Sequence, residues 1–109
     1  MTKKYWRVSY KDIGIYEAFK NCLCQMNKID IWNKLKNSDI FTWLPLPNTY
    51  SKNNRSFFTE IGYKEFIEKT LPVMKQYLDN DSIVIKCFEF DYQNLKIIYE
   101  DEYQIVIEE

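Results

Sequence analysis

A chain of 109 residues, 46% of them hydrophobic and 17% aromatic, is one domain with enough apolar surface to form a core and is not a disordered segment. Its net charge is -1 with both signs interspersed, so no basic field invites nucleic acid and no polybasic run invites a membrane surface. No histidine is present, which excludes Ser-His and Cys-His nucleophiles, histidine general bases and histidine-containing zinc sites. Chemistry in this chain has to run on carboxylates, Arg, Lys, Tyr, Ser and Thr. The cysteines Cys22, Cys24 and Cys87 fit a reduced cytoplasmic protein better than a disulfide scaffold. Cys22-Leu23-Cys24 has neither the spacing nor the company of a zinc site, and no metal is expected. No apolar run nears the ~20 residues of a spanning helix. Met1-Thr2-Lys3-Lys4 leads into a strand rather than a signal-peptide core.

Tyr5 to Tyr10 reads as a strand, with Trp6, Val8 and Tyr10 toward the core and Tyr5, Arg7 and Ser9 facing away. Lys11 to Gly14 breaks it. From Ile15 the period becomes helical, through Ala18, Phe19, Cys22 and Met26, with Asp12 or Gly14 placed to cap and Glu17 favourable in the first turn. A second short helix is expected from an N-cap at Asp30 through Ile31, Trp32 and Leu35, ended by Asn37-Ser38-Asp39. Residues 39 to 55 are the least regular. Ile40 to Leu44 is apolar, Pro45 and Pro47 forbid a continued helix or central strand, and Asn48 to Arg55 is a polar loop. An aromatic stretch before such a loop is packing and an ordinary connection, or a lid over a pocket.

Arg55 to Phe58 reads as a short strand, with Thr59 at the N-cap of the helix that follows. Tyr63, Phe66, Ile67, Leu71, Met74, Tyr77 and Leu78 form the clearest helical stripe, and Pro72 within it predicts a kink or two consecutive helices. The Asp79-Asn80-Asp81 cluster stops it. Three strands complete the chain: Ser82 to Phe90, Leu95 to Tyr99 after a turn at Asp91 to Asn94, and Tyr103 to Ile107. The order β-α-α-β-α-β-β-β is α+β, and two glycines in the whole chain argue against a Walker or Rossmann nucleotide site.

Glu100-Asp101-Glu102 has two readings. If the last strand extends back through the acids, Glu100, Glu102 and Gln104 share one face, and Tyr103, Ile105 and Ile107 share the other. Otherwise the acids form a hairpin turn and are solvated.

An Arg on the outer face of the first strand, Ser-Phe-Phe-Thr leading into a helix, and Glu-Asp-Glu near the last strand follow one another along the chain. That ordered trio resembles the Arg / Ser-Thr-Ser / Glu-x-Glu signature of the ADP-ribosyltransferase fold, with Ser-Phe-Phe-Thr in place of Ser-Thr-Ser. The element order is similar to the minimal core of that fold. The resemblance implies NAD as substrate, bound by Arg7 through phosphate or ribose. It implies that Ser56 and Thr59 shape the nicotinamide side, and that Glu102, with Glu100 beside it, stabilises an oxocarbenium-like centre. These residue types suit the chemistry: Arg is a fixed planar cation for phosphate, and a carboxylate stabilises charge at an electron-poor sugar carbon. The same residues also have a structural reading. Arg7 would be a strand-face cation paired with Glu100 or Glu102, Ser56 an edge hydroxyl and Thr59 a helix cap. A rival function is a small non-catalytic cytosolic interaction protein, of the kind mobile elements carry, working through a protein partner. Tyr5, Tyr16, Trp32, Trp43, Tyr50, Tyr63, Tyr92 and Tyr99 cannot all be buried in so small a domain and would furnish its interface.

Overall fold

The alternating run at the N-terminus forms the strand on which the sheet is built. The computed structural model describes residues 2–45 and 54–108. In it β1 (Thr2–Tyr10) is hydrogen-bonded along its whole length to β4 (Ile83–Asp91), from Thr2 opposite Asp91 to Tyr10 opposite Ile83. The other edge of β1 is shared by the two-residue β2 (Ile13–Gly14) and by β3 (Asn54–Phe58). β3 pairs in turn with β6 (Gln104–Glu108), and β6 with β5 (Ile97–Glu100). Every pair is antiparallel, giving the order β4-β1-β3-β6-β5. β1 and β3 meet only at Trp6 and Phe58, so the sheet parts beyond that pair. The turn joining β1 to β2 holds Lys11 and Asp12 at φ of 48° and 69°, as a tight two-residue hairpin requires.

Helices cover one face: α1 (Ile15–Gln25), α2 (Ile29–Leu35), α3 (Asp39–Thr42), α4 (Glu60–Glu65) and α5 (Leu71–Met74). The main core lies between them and the sheet, with Val8, Ile15, Phe19, Leu23, Phe41, Phe58, Phe66, Leu71, Met74 and Leu78 buried. The fold is α+β, as the sequence pattern implies, with α3 and β2 added to the expected order. Among the described residues no helix is long and apolar enough to cross a membrane.

Several local expectations change. Leu23, not Met26, completes the buried stripe of α1, and Met26 is 43% exposed. The reason is the helix end. Asn27 takes φ 59°, its N–H bonds the Cys24 carbonyl, and Lys28 N–H bonds the Leu23 carbonyl, which closes the helix at Gln25 and leaves Met26 as its C-cap. Gly14 is the N-cap of α1, and α2 starts from Lys28 with Asp30 inside its first turn rather than capping it. Pro72 sits at the start of α5, directly after a π-helical turn, Phe66–Thr70, that joins α4 to α5. A proline cannot accept the regular geometry of the turn before it, and the wider turn absorbs the misfit. Ile67, expected in the core, is half-buried.

The face expected to be outward on β1 has a core of its own. Tyr5, Phe57, Ile105 and Ile107 are buried there, with Phe88, Phe90, Leu95 and Ile97 packed against them. Phe57 meets Phe88 and Phe90 edge to face at 5.4 and 5.2 Å. The aromatic surplus is largely absorbed in this way. Tyr5 is buried, and Tyr16, Trp32, Trp43, Tyr63, Tyr92 and Tyr99 are half-buried, so none of these is fully exposed. Trp6 stacks on Tyr63 at 5.3 Å, and Trp43 packs edge to face on Tyr103 at 5.4 Å. Tyr50 and most of the loop considered as a lid fall in residues 46–53, outside the described residues.

Candidate functional site

The Glu-Asp-Glu triplet is a hairpin turn, not the start of a strand. β5 ends at Glu100, β6 starts at Gln104, and Glu100 lies opposite Ile105. The middle residue, Asp101, makes the turn. Its Oδ1 accepts from the N–H groups of Tyr103 and Gln104 at 2.8 and 2.9 Å, and its Oδ2 accepts from the Tyr99 hydroxyl at 2.7 Å. Its own N–H donates to the Gln104 carbonyl. The Tyr99 hydroxyl is held above its ordinary pKa, first by that bond to Asp101.

The expected sharing of faces is corrected accordingly. Glu100 lies across from Ile105, on the side of the second core, and accepts from the Tyr92 hydroxyl at 2.6 Å. That bond raises the Tyr92 pKa, and the Glu100 charge adds to the burial that raises Tyr5. Gln104 is buried on the helical side, where its amide donates to the Pro45 carbonyl at 2.6 Å. Tyr103 packs on Trp43 instead of joining Ile105 and Ile107. Its hydroxyl bonds the Glu102 carboxylate, which holds the tyrosine pKa up.

The turn is clamped onto the start of α4. Thr59 is the N-cap, as its position implied, and its Oγ1 accepts from Gly62 N–H at 3.1 Å. The same hydroxyl donates to the Glu102 carbonyl at 2.6 Å, and Thr59 N–H donates to the Tyr103 carbonyl at 3.0 Å. Gly62 lets the helix approach this closely. A Cβ at that position would stand 1.8 Å from the Tyr103 carbonyl oxygen. Lys3, Lys4, Thr59, Glu60, Glu100 and Glu102 line an open cavity of about 700 Å³ at this end of the sheet.

Arg7 lies beyond the Trp6–Phe58 pair, where β1 and β3 part. Its Nη1 donates to the Ser56 carbonyl at 3.0 Å, bridging the two strands, and its guanidinium lies 5.9 Å from the centre of the Phe57 ring. Arg7, Ser56, Tyr16, Glu17 and Gln104 line a cavity of about 340 Å³. The Tyr16 hydroxyl is buried without a hydrogen-bond partner among the described residues, and burial raises its pKa despite the nearby Thr70 hydroxyl. An adjoining basin of about 410 Å³ is lined by Arg7, Arg55 and Lys86 together with Asp12 and Glu17.

The expected residues therefore fall into two groups. Arg7 and Ser56 meet, and Thr59 and Glu102 meet, but neither cavity lined by Arg7 includes Glu100 or Glu102. Trp6 lines a cavity of each group and stands between them. No family model, curated protein or solved structure matches the chain.

Sequence reasoning missed Arg55, Lys86, Glu17 and Tyr16. Strand alternation was the available signal for the cations. Lys86 lies directly opposite Arg7, and Arg55 is two residues before Phe57 on the same face. Like charges opposite one another on neighbouring strands are unfavourable without nearby acids or a bound anion. Asp12 and Glu17 supply acids in the same basin.

Proposed function

We propose that the chain binds NAD as a substrate and acts on it as a glycohydrolase or ADP-ribosyltransferase. The observation that carries this reading is the cleft between β1 and β3, where Arg7 and Ser56 line one cavity and adjoin a basin with two further cations, Arg55 and Lys86. The donor set fits a diphosphate: a guanidinium offers paired N–H groups to phosphate oxygens, and Arg55 and Lys86 add positive charge beside it. The Glu102 carboxylate, on the turn held by Thr59, has the chemistry for the other half. As the bond from ribose C1′ to the nicotinamide nitrogen breaks, its electron pair leaves with nicotinamide and positive charge develops at C1′. Water or a nucleophile on a protein target then bonds to C1′ and gives up its proton. A dinucleotide that reaches Glu102 from Arg7 has to pass Trp6, the residue common to both cavities.

The test is calorimetry with NAD, followed by an assay of nicotinamide release. Glu102→Gln removes the charge with nearly unchanged shape, so NAD binding should survive while release falls by roughly two to three orders of magnitude. Arg7→Ala should weaken binding first. Wild-type protein that takes up no NAD at about 1 mM would overturn the proposal. One observation favours the alternative, a non-catalytic interaction protein: Val84 and Ile85 are each 41% exposed on the edge strand β4.

A further inference from the structure

Among the described strands, the outer edge of β4 is the longest open hydrogen-bonding edge in the sheet. β4 runs for nine residues and is paired on one side only, to β1; no described strand lies on the other. Residues 84 to 87 are exposed, although they alternate between the helical face and the second-core face. Such an edge is a template for another strand, and proteins that keep it single use prolines, bulges or several charges to guard it. β4 has Lys86 and Glu89 as its only charges before the terminal Asp91, no proline, and a register against β1 without a bulge.

We propose that β4 pairs with β4 of a second copy, antiparallel, about a two-fold axis through Cys87, joining the two sheets into one. Symmetry restricts the registers. A two-fold axis normal to the sheet must pass through a residue facing its own copy, because opposite residues in an antiparallel pair point to one face. Cys87 is the centre of Ile83–Asp91, so this register alone pairs the whole strand. It also sets no like charges directly opposite. Lys86 faces Phe88 of the second copy, Ile85 faces Glu89, and Val84 faces Phe90. Centring on Lys86 or Glu89 would set two lysines or two glutamates against each other. The Val84–Phe90 contact supplies the apolar complement. Phe90 is half-buried at the rim of the second core, and the exposed Val84 of the other copy would extend that core across the axis. The inference rests on the edge strand and is independent of NAD.

Sedimentation of the intact chain tests it. The wild type should run at twice the 13.3 kDa of one chain. Ile85→Glu sets a glutamate against Glu89 of the other copy at two places and should give a monomer. Ile85→Lys offers an ion pair at the same two places and should remain a dimer. Ile85 is 41% exposed, so neither change burdens the monomer fold, and circular dichroism checks that each is folded. A short bismaleimide should link two wild-type chains, link Cys24→Ser equally, and fail with Cys87→Ser. A wild-type protein that is monomeric at about 100 µM, or a dimer that Ile85→Glu leaves intact, would overturn the proposal.

Discussion

Replacing Gly62 with alanine tests whether the helix–turn clamp is as tight as it looks, because the sign of the effect is at stake. In an unobstructed helix interior the change adds up to about 1 kcal/mol of stability, since glycine has more backbone freedom to lose. Here the added methyl would lie 1.8 Å from the Tyr103 carbonyl oxygen and 2.7 Å from its carbon. Both are backbone atoms, so no side chain can rotate away. Restoring ordinary contact requires the turn to retreat from α4, which stretches the bonds from Thr59 N–H to the Tyr103 carbonyl and from Thr59 Oγ1 to the Glu102 carbonyl. Each lost bond costs about 1 kcal/mol, and the overpacking adds about 1–3 kcal/mol. Against the gain in propensity, a net loss of about 2–4 kcal/mol is expected. For a domain of this size that lowers Tm by roughly 15 °C. Thermal and urea unfolding followed by circular dichroism measure it. A Gly62→Ala protein as stable as the wild type, or more so, would refute the close approach of α4 to the turn.

Two further substitutions address the core and the turn. Phe66, which is fully buried, should cost about 3–5 kcal/mol when replaced by alanine; a loss below about 1 kcal/mol in urea unfolding would mean that this face of the helix is turned the wrong way. Asp101→Ala removes the acceptor for two backbone N–H groups and should cost about 2–3 kcal/mol. Asp101→Asn keeps an acceptor and should retain part of that stability. In Asp101→Ala the Tyr99 hydroxyl should titrate lower than in the wild type, toward its ordinary value, because the bond that holds its proton is gone. Ultraviolet titration of the tyrosines reads this directly.

The features legible in the sequence were those set by short-range chemistry. Alternation located β1 and β4, the helical stripe located Phe66, Leu71 and Met74, and Thr59 was readable as a cap because its hydroxyl serves an N–H three residues on. What long-range contacts decide was not legible. Tyr5 looked outward on β1 and is buried, because Phe57, Phe88 and Phe90 from two other strands cover it. In the triplet from Glu100 the spacing marks the outer residues, whereas the middle one, Asp101, makes the turn. Nothing in Glu-x-Glu spacing distinguishes a strand from a hairpin whose aspartate accepts the two N–H groups that follow. Alternation makes Arg7 legible as a strand-face cation, but its observed reach is to the Ser56 carbonyl, a backbone atom that no pattern of side chains could have named.

The two groups of residues are held by different means, and this bears on how the NAD reading fails or survives. Arg7 is set by the parting of β1 from β3, and its environment comes from the strands and from α1 through Glu17. Glu102 is fixed through its backbone by Thr59, and its turn is shaped by Asp101. Glu100 is tied to Tyr92, so of the two glutamates Glu102 is the one whose turn α4 directly supports. A lesion in the clamp, such as Gly62→Ala, should therefore disturb Glu102 while leaving the Arg7 cleft in place. If NAD binds at the cleft and is processed at the turn, that variant keeps its affinity for NAD below its melting temperature and loses nicotinamide release, as Glu102→Gln does. If binding and release fall together in Gly62→Ala while the protein is still folded, the dinucleotide depends on both ends for affinity. Trp6 would then be the place to look for the stacking contact that joins them.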